Sequence, residues 1–330
     1  MNRFFLLATL VSLVLTATAQ TTPEAPEFLR KGDKVAILSL ASTPKAEYID
    51  AGVRVLTAWG FRPVVGKHAL ANHHGYAGTA EQRLDDLLTA LRDPEVKAIL
   101  CSRGGYGSAM MLSMIHPDTL ARYPKWIIGY SDITSLHSAM VRGGVMSIHA
   151  NMCGALNTTG GTDSISLILR DLLKGHLPEY NIPAHPDNHP GTATGILLGG
   201  NMAVFSCNLS GSQTWDFLDR DYIDGRDFLL FFEDVGESIN RVGSMLTQLQ
   251  LKGVLDKAKG IIIGRFTDYN PSNGYADMNQ MLAERLRGLN IPICFDFPTG
   301  HDETWNYPLI EGCPATLRVT PSGVNLKFHK

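Results

Sequence analysis

The sequence predicts an α/β protein of two domains, and three observations carry that prediction. Short apolar runs alternate with helix-patterned segments through the first half, the signature of a parallel sheet covered on both faces. The chain has 330 residues, and at roughly 100–200 residues per domain this suggests two domains. Its composition, 44% hydrophobic and 18% charged, is that of a folded chain and excludes disorder.

The elements follow in order. Lys34 to Leu40 is a short apolar run, read as a buried strand. Lys45 to Trp59 has helical spacing and stops at Gly60, a C-cap signal. Arg62 to Val65 reads as a second strand. Thr79 and Gln82 form a capping box, and Leu84, Leu87, Leu88 and Leu91 line one face of the helix behind it. Val96 to Cys101 and Trp126 to Gly129 are further strands; Asp132 to Val141 is a helix, and Val145 to Ala150 a fifth strand. The pattern then weakens. A helix is expected over Ser164 to Leu173, and Pro178 to Pro190, rich in Pro, His and Asn, reads as linker. In the second half Gly195 to Leu198, Phe228 to Glu233, Gly260 to Phe266 and Ile293 to Phe297 read as strands. A helix is expected after Asn201, with others over Ile239 to Leu251 and Ala276 to Leu289. Ala315 to Val319 and Val324 to Phe328 flank a hairpin turn. The expected architecture is an N-terminal Rossmann-like parallel sheet domain, residues 32–156, and a C-terminal α/β domain with a mixed, partly barrel-like sheet, residues 195–330. A linker with one helix, residues 157–194, joins them.

The N-terminus carries an address. Arg3 supplies a positive charge, Phe4 to Leu15 is apolar but for Thr9 and Ser12, and Ala17-Thr18-Ala19 is a small-residue cleavage site. This is the pattern of a signal peptide over residues 1–19, followed by a polar leader over 20–31. An exported protein, periplasmic or secreted, is expected. The balance of 29 basic and 32 acidic residues gives no reason to expect nucleic-acid binding. Cys101, Cys153, Cys207, Cys294 and Cys313 show neither metal spacing nor a disulfide pattern.

Four segments offer chemistry. Arg103-Gly104-Gly105-Tyr106-Gly107-Ser108 is a glycine-rich turn after a strand, able to hold an anion on backbone N–H groups or to serve only as a tight turn. Ser131 sits at a strand-to-helix corner, where it is either an exposed nucleophile backed by the Asp132 N–H or a plain helix cap. His301, in a Gly/Pro loop just past a strand, is placed to act as a base; His149 is a second pocket candidate and His137 reads as packing. Glu233, Asp234 and Glu237 end a buried strand, able to bind a cation or orient a histidine, or forming only a solvated acidic loop.

Several motifs occur together in one order: Gly32-Asp33-Lys34-Val35-Ala36, Tyr76-Ala77-Gly78-Thr79 with Arg83 and Asp86, Arg103 to Gly107, Gly129 to Thr134, Leu198 to Asn201, Phe232-Glu233-Asp234 and Gly300-His301. This set resembles the LD-carboxypeptidase family of serine peptidases, which includes the microcin-resistance peptidases. The resemblance implies a catalytic triad of Ser131, Glu233 and His301, with Glu237 as the other possible acid, and an oxyanion hole on the backbone near Gly105 and Asp132. It implies removal of the terminal D-alanine from murein tetrapeptides through an acyl-enzyme, with no cofactor or metal, by a homodimer. Arg103, Tyr106, Asn201 and Arg241 are the substrate-binding candidates. His149-Ala150-Asn151-Met152 departs from the family's usual His-Gly-Pro run. A microcin-resistance type amidase with the same triad, reading a purine through Trp305 and Tyr307, is the alternative. A non-catalytic periplasmic binding protein is the other.

Overall fold

The computed structural model describes residues 22–302 and 304–330. The expected signal peptide, residues 1–19, lies outside the described residues. Among the described residues thirteen strands run in chain order: β1 (Lys34–Leu38), β2 (Arg62–Val65), β3 (Val96–Cys101), β4 (Trp126–Gly129), β5 (Ser147–His149), β6 (Glu179–Ile182), β7 (Gly191–Asn201), β8 (Phe228–Val235), β9 (Gly260–Thr267), β10 (Ile293–Cys294), β11 (Leu309–Glu311), β12 (Pro314–Thr320) and β13 (Gly323–Phe328).

They form two sheets. The first has the order β11-β5-β4-β3-β1-β2. Its strands β1 to β5 are parallel, and β11 is an antiparallel edge. Helices Ala46–Ala58 and Ala80–Arg92 cross between its strands, the second opened by the expected capping box. The order in which strands are added reverses between β1 and β3, the switch point where open α/β sheets hold ligands beyond the strands' carboxyl ends. The apolar side chains of β1, β3 and β4 are buried, as expected of parallel strands covered on both faces.

The second sheet has the order β10-β9-β8-β7-β12-β13-β6. Its β7 to β10 are parallel and the β12–β13–β6 side antiparallel, so the sheet is mixed. It is open. Seven residues beyond β6, a single bridge from His189 to Ile293 ties the chain to the opposite edge, and among the described residues no ladder closes the barrel.

The stretch read as linker over 178–190 contains β6, whose four residues are too few to show alternation between flanking prolines. The strand expected over Ile293 to Phe297 is only the two residues of β10. β11 follows the expected domain boundary yet completes the first sheet, so the chain returns to the N-terminal half. The polar leader is fixed in the fold: Glu24 bridges Val145, and Leu29 is buried. All five cysteines are free thiols. Among the described residues no helix is long and apolar enough to cross a membrane.

Candidate active site

Ser131 stands at the carboxyl end of β4, on a turn of helix that leads into helix Thr134–Arg142. Its φ is +62°, a left-handed conformation costly for a residue with a Cβ and found where a site demands it. This is the strand-to-helix corner expected of an exposed nucleophile. The plain alternative, a helix-capping serine, finds no support, because Ser131 makes no capping bond and the residue at the N-cap position is Tyr130.

The glycine loop after β3 packs on this corner. The Asp132 carboxylate accepts the Ser108 N–H at 2.8 Å, and Ser108 Oγ donates to the Asp132 carbonyl at 2.5 Å. Buried Arg83 donates to the carbonyls of Gly78 and Gly107 at 2.7 and 3.2 Å. The Gly107–Ser108 end of the loop is therefore tied beside Ser131. Burial raises the Asp132 carboxyl above its usual range, opposed by the two Ser108 bonds.

Glu233 and His301 come from the second sheet. Glu233 lies near the end of β8, beside a register shift against β9 between Phe232 and Asp234; such irregularities re-aim side chains beside functional sites. His301 Nδ1–H donates to Glu233 Oε2 at 2.7 Å, with the Glu233 side chain fully buried and that of His301 15% exposed. Gly300 permits this approach: its φ is +140°, and a Cβ there would lie 3.3 Å from Glu233 Oε2. Burial pulls the His301 pKa down, but the charge and hydrogen bond of Glu233, with Asp234 and Asp268 beyond, outweigh it and leave the pKa raised. Asp234 is pushed up to about 6 by burial and by the charge of Glu233. Glu237 is not the partner of the imidazole; it faces Arg241 at 3.9 Å.

Ser131, His301, Arg103, Gly104, Gly105, Tyr130, Met152, Gly154, Ala155 and Tyr48 line one cleft of about 180 Å³. His301 Nε2, the nitrogen left for a proton transfer, is buried and has no partner among the described residues. The Tyr130 ring packs edge-on against the imidazole at 5.0 Å. The other histidine candidates are structural. His149 is fully buried, its pKa driven well below the usual value by burial. His137 is pushed down to about 4 by burial and bridges Ser147 and the Gly129 carbonyl.

Of the four substrate-binding candidates, the cleft gathers only Arg103. Tyr106 is exposed and leans on Tyr76. Arg241 turns to Cys207 and Glu237. Asn201 is buried, donating to Asp234 at 3.2 Å while its own backbone N–H donates to Thr134 Oγ1 at 3.0 Å. The aromatic platform of the alternative reading is not in the cleft either: Tyr307 packs on Tyr180 and Phe297, and Trp305 lies under Arg265. His68, Asp85 and Asp86 bring possible metal-ligand atoms together, but none of them lines this cleft. Sequence reasoning missed Tyr48, Gly154 and Ala155, ordinary residue types that only the tertiary structure brings to the cleft.

A serine on a strained corner and a carboxylate-paired histidine in one cleft define a serine-type hydrolase. The comparisons agree. The model of the LD-carboxypeptidase N-terminal domain matches residues 35–150, and that of the C-terminal domain residues 194–317. The chain belongs to the LD-carboxypeptidase family. It is 33% identical over 286 residues to the Bacillus subtilis protein named "Probable murein peptide carboxypeptidase", covering 84% of this chain and 86% of that one. It is 28% identical to the murein tetrapeptide carboxypeptidase of Pseudomonas aeruginosa over 295 residues, 83% and 91% of the two chains. The crystal structure of muramoyltetrapeptide carboxypeptidase from Oxalobacter formigenes superposes with a TM-score of 0.79 at 26% identity, covering 90% of this chain and 99% of that one.

Proposed function

We propose that this protein is an exported LD-carboxypeptidase that removes the terminal D-alanine from murein tetrapeptides. The observation that carries this is the meeting of Ser131 with the Glu233-paired His301 in one cleft. Residues 32–156 supply the nucleophile, and residues 195–330 the base and its acid. His301 Nε2 takes the Ser131 proton as Oγ bonds to the scissile carbonyl carbon, and Glu233 stabilises the imidazolium. The oxyanion forms against the backbone near Gly105 and Asp132, at the start of a helical turn. The C–N bond breaks, His301 returns the proton to the leaving D-alanine amine, and water, activated by the same imidazole, hydrolyses the acyl-serine. Nucleophile, base and orienter are all side chains, so no step passes through a metal. Arg103 lines the cleft with no hydrogen bond or ion pair among the described residues, which suits it to the carboxylate of a peptide terminus.

The names of the Bacillus, Pseudomonas and Oxalobacter proteins support the substrate class. The signal-like N-terminus supports a site of action in the periplasm or outside the cell. The reading includes a homodimer, which sedimentation of the mature protein checks. The activity test is mass spectrometry of a murein tetrapeptide incubated with mature protein in chelator. Loss of one alanine, absent with Ser131→Ala, is the expected result; no loss with folded protein overturns the reading.

A further inference from the structure

The reacting groups are carried by different sheets, so their separation depends on what joins the sheets locally. On the Ser131 side, the Ala150 N–H donates to the Gly129 carbonyl at 2.9 Å, two residues before the nucleophile. Asn151 comes next and is 1% exposed. Its Oδ1 accepts from Asn306 Nδ2 at 3.0 Å, across 155 residues of sequence. Asn306 is fully buried. Its own Oδ1 accepts the Gly300 N–H at 3.1 Å and Thr299 Oγ1 at 3.2 Å. Gly300 is the residue before His301. A short hydrogen-bonded path thus runs from the backbone beside Ser131 to the backbone beside His301, through two buried amide side chains.

We propose that Asn151 and Asn306 are positioning residues that set His301 against Ser131. The proposal rests on the reading above, in which those two residues are base and nucleophile. A buried amide with both ends engaged has one orientation, and it fixes whatever it holds. Here it holds the turn that aims the imidazole. The other hydrogen bonds of that turn include the Arg265 N–H to the Thr299 carbonyl, the Thr299 N–H to the Phe297 carbonyl, the Tyr307 N–H to the Pro298 carbonyl, and the Glu233–His301 bond. These four lie within the second half of the chain. From the Ser131 side the Tyr130 ring also packs on the imidazole, at 5.0 Å, a contact that sets no direction as a hydrogen bond does. Without the amide bridge, Glu233 and His301 remain paired with each other but lose the hydrogen-bonded registration with Ser131. Proton transfer between positioned groups is steeply sensitive to such displacement: about 1 Å is worth ~100-fold in rate.

This makes a specific signature. Removing the bridge lowers the rate while leaving the His301 pKa, which its own half sets, in place. It leaves substrate affinity in place too, because Arg103 sits on the Ser131 side. A purely structural role would lower the melting temperature and nothing else.

The test compares wild type, Asn151→Ala, Asn151→Asp and Ser131→Ala on murein tetrapeptide. Turnover is measured across pH, alongside the rate at which a fluorophosphonate labels Ser131. The expected result for Asn151→Ala is a fall of about tenfold or more in kcat and in labelling, with KM and the pH midpoint unchanged. Asn151→Asp keeps an acceptor for Asn306 Nδ2 and recovers most of the labelling rate. Should the alanine protein not fold, Asn151→Leu, similar in volume but without the acceptor, takes its place. Wild-type kcat and labelling in the bridge-less variant overturn the proposal, as does a loss that appears only in KM. Turnover retained by Ser131→Ala instead overturns the nucleophile reading, a separate outcome.

Discussion

Gly104 lies against Ser131 so closely that a Cβ at 104 would stand 2.9 Å from Ser131 Cβ and 3.1 Å from its Oγ. Cβ atoms do not approach to 2.9 Å, so a side chain at 104 moves the glycine loop or the nucleophile. Neither can shift freely, since Asp132 and Ser108 bind them together. Gly104→Ala is expected to cut kcat by about tenfold or more with only a small change in thermal midpoint. Steady-state kinetics beside a melting curve checks it; unchanged kcat would show that the loop yields.

The backbone at Ser131 stores strain. A non-glycine residue at φ +62° costs of order 1–3 kcal/mol, and glycine there costs some unfolded-state entropy in return. Ser131→Gly is expected to abolish turnover and stabilise the fold by about 1 kcal/mol. Ser131→Ala abolishes turnover without that gain, because its Cβ keeps the strain. Chemical denaturation of the two variants separates them.

The Glu233–His301 pair sets the pH dependence. As a base His301 must be neutral, and its pKa is raised, so activity rises with pH through a midpoint above the ordinary histidine value of about 6.5. Glu233→Gln removes the charge that holds it there. The midpoint moves to lower pH while the plateau falls by about 10³–10⁴, as when a triad acid is neutralised elsewhere. For stability, the protonated imidazole contributes fully below its unfolded pKa, and the contribution fades as pH rises through the raised folded value. The stability advantage of wild type over Glu233→Gln is therefore full below the ordinary histidine value of about 6.5 and narrows as pH rises through the raised folded value.

Much of this was legible in the sequence, for identifiable reasons. The parallel strands are continuous apolar runs, and Thr79 with Gln82 announced its helix by a capping pattern that needs only neighbours in sequence. Ser131, Glu233 and His301 each follow a readable strand, so local pattern placed them at strand ends, and the ordered motif set paired them. Local pattern does not show cross-chain geometry. Glu233 and Glu237 look alike in sequence, and only the 2.7 Å bond to His301 distinguishes them. Asn201 sits in a conspicuous glycine motif yet serves Asp234 and Thr134 rather than the cleft. β11 is three residues long, and its place in the first sheet depends on β5, which lies far from it in sequence.

Arg103 is half-buried in the cleft without an ionic partner among the described residues. A charge-assisted hydrogen bond to a substrate carboxylate contributes about 1.5–3 kcal/mol. Arg103→Leu is expected to raise KM for the tetrapeptide by about 10- to 100-fold, with little change in thermal midpoint because no internal ion pair is lost. An unchanged KM removes Arg103 from substrate binding.

Glu311, on the edge strand β11, offers a test of the fold separate from the chemistry. It is fully buried, and neither carboxylate oxygen has a hydrogen-bond partner among the described residues. Burial alone raises its pKa well above the usual glutamate value, so the folded protein holds it neutral. A carboxyl with a raised folded pKa costs no stability below its unfolded pKa, near 4.5. Above that value the unfolded chain releases its proton while the folded chain keeps it, and stability falls as pH rises. Glutamine imitates the neutral acid without titrating. Glu311→Gln is therefore expected to match wild type near pH 4 and to be the more stable protein at neutral pH, the gap widening between about pH 5 and pH 7. Turnover is expected to be unchanged, since Glu311 lines no part of the cleft. Urea titrations of both proteins across that range decide it. A gap that does not depend on pH would mean that Glu311 is not held neutral, and that a group charged in the folded state stands against it.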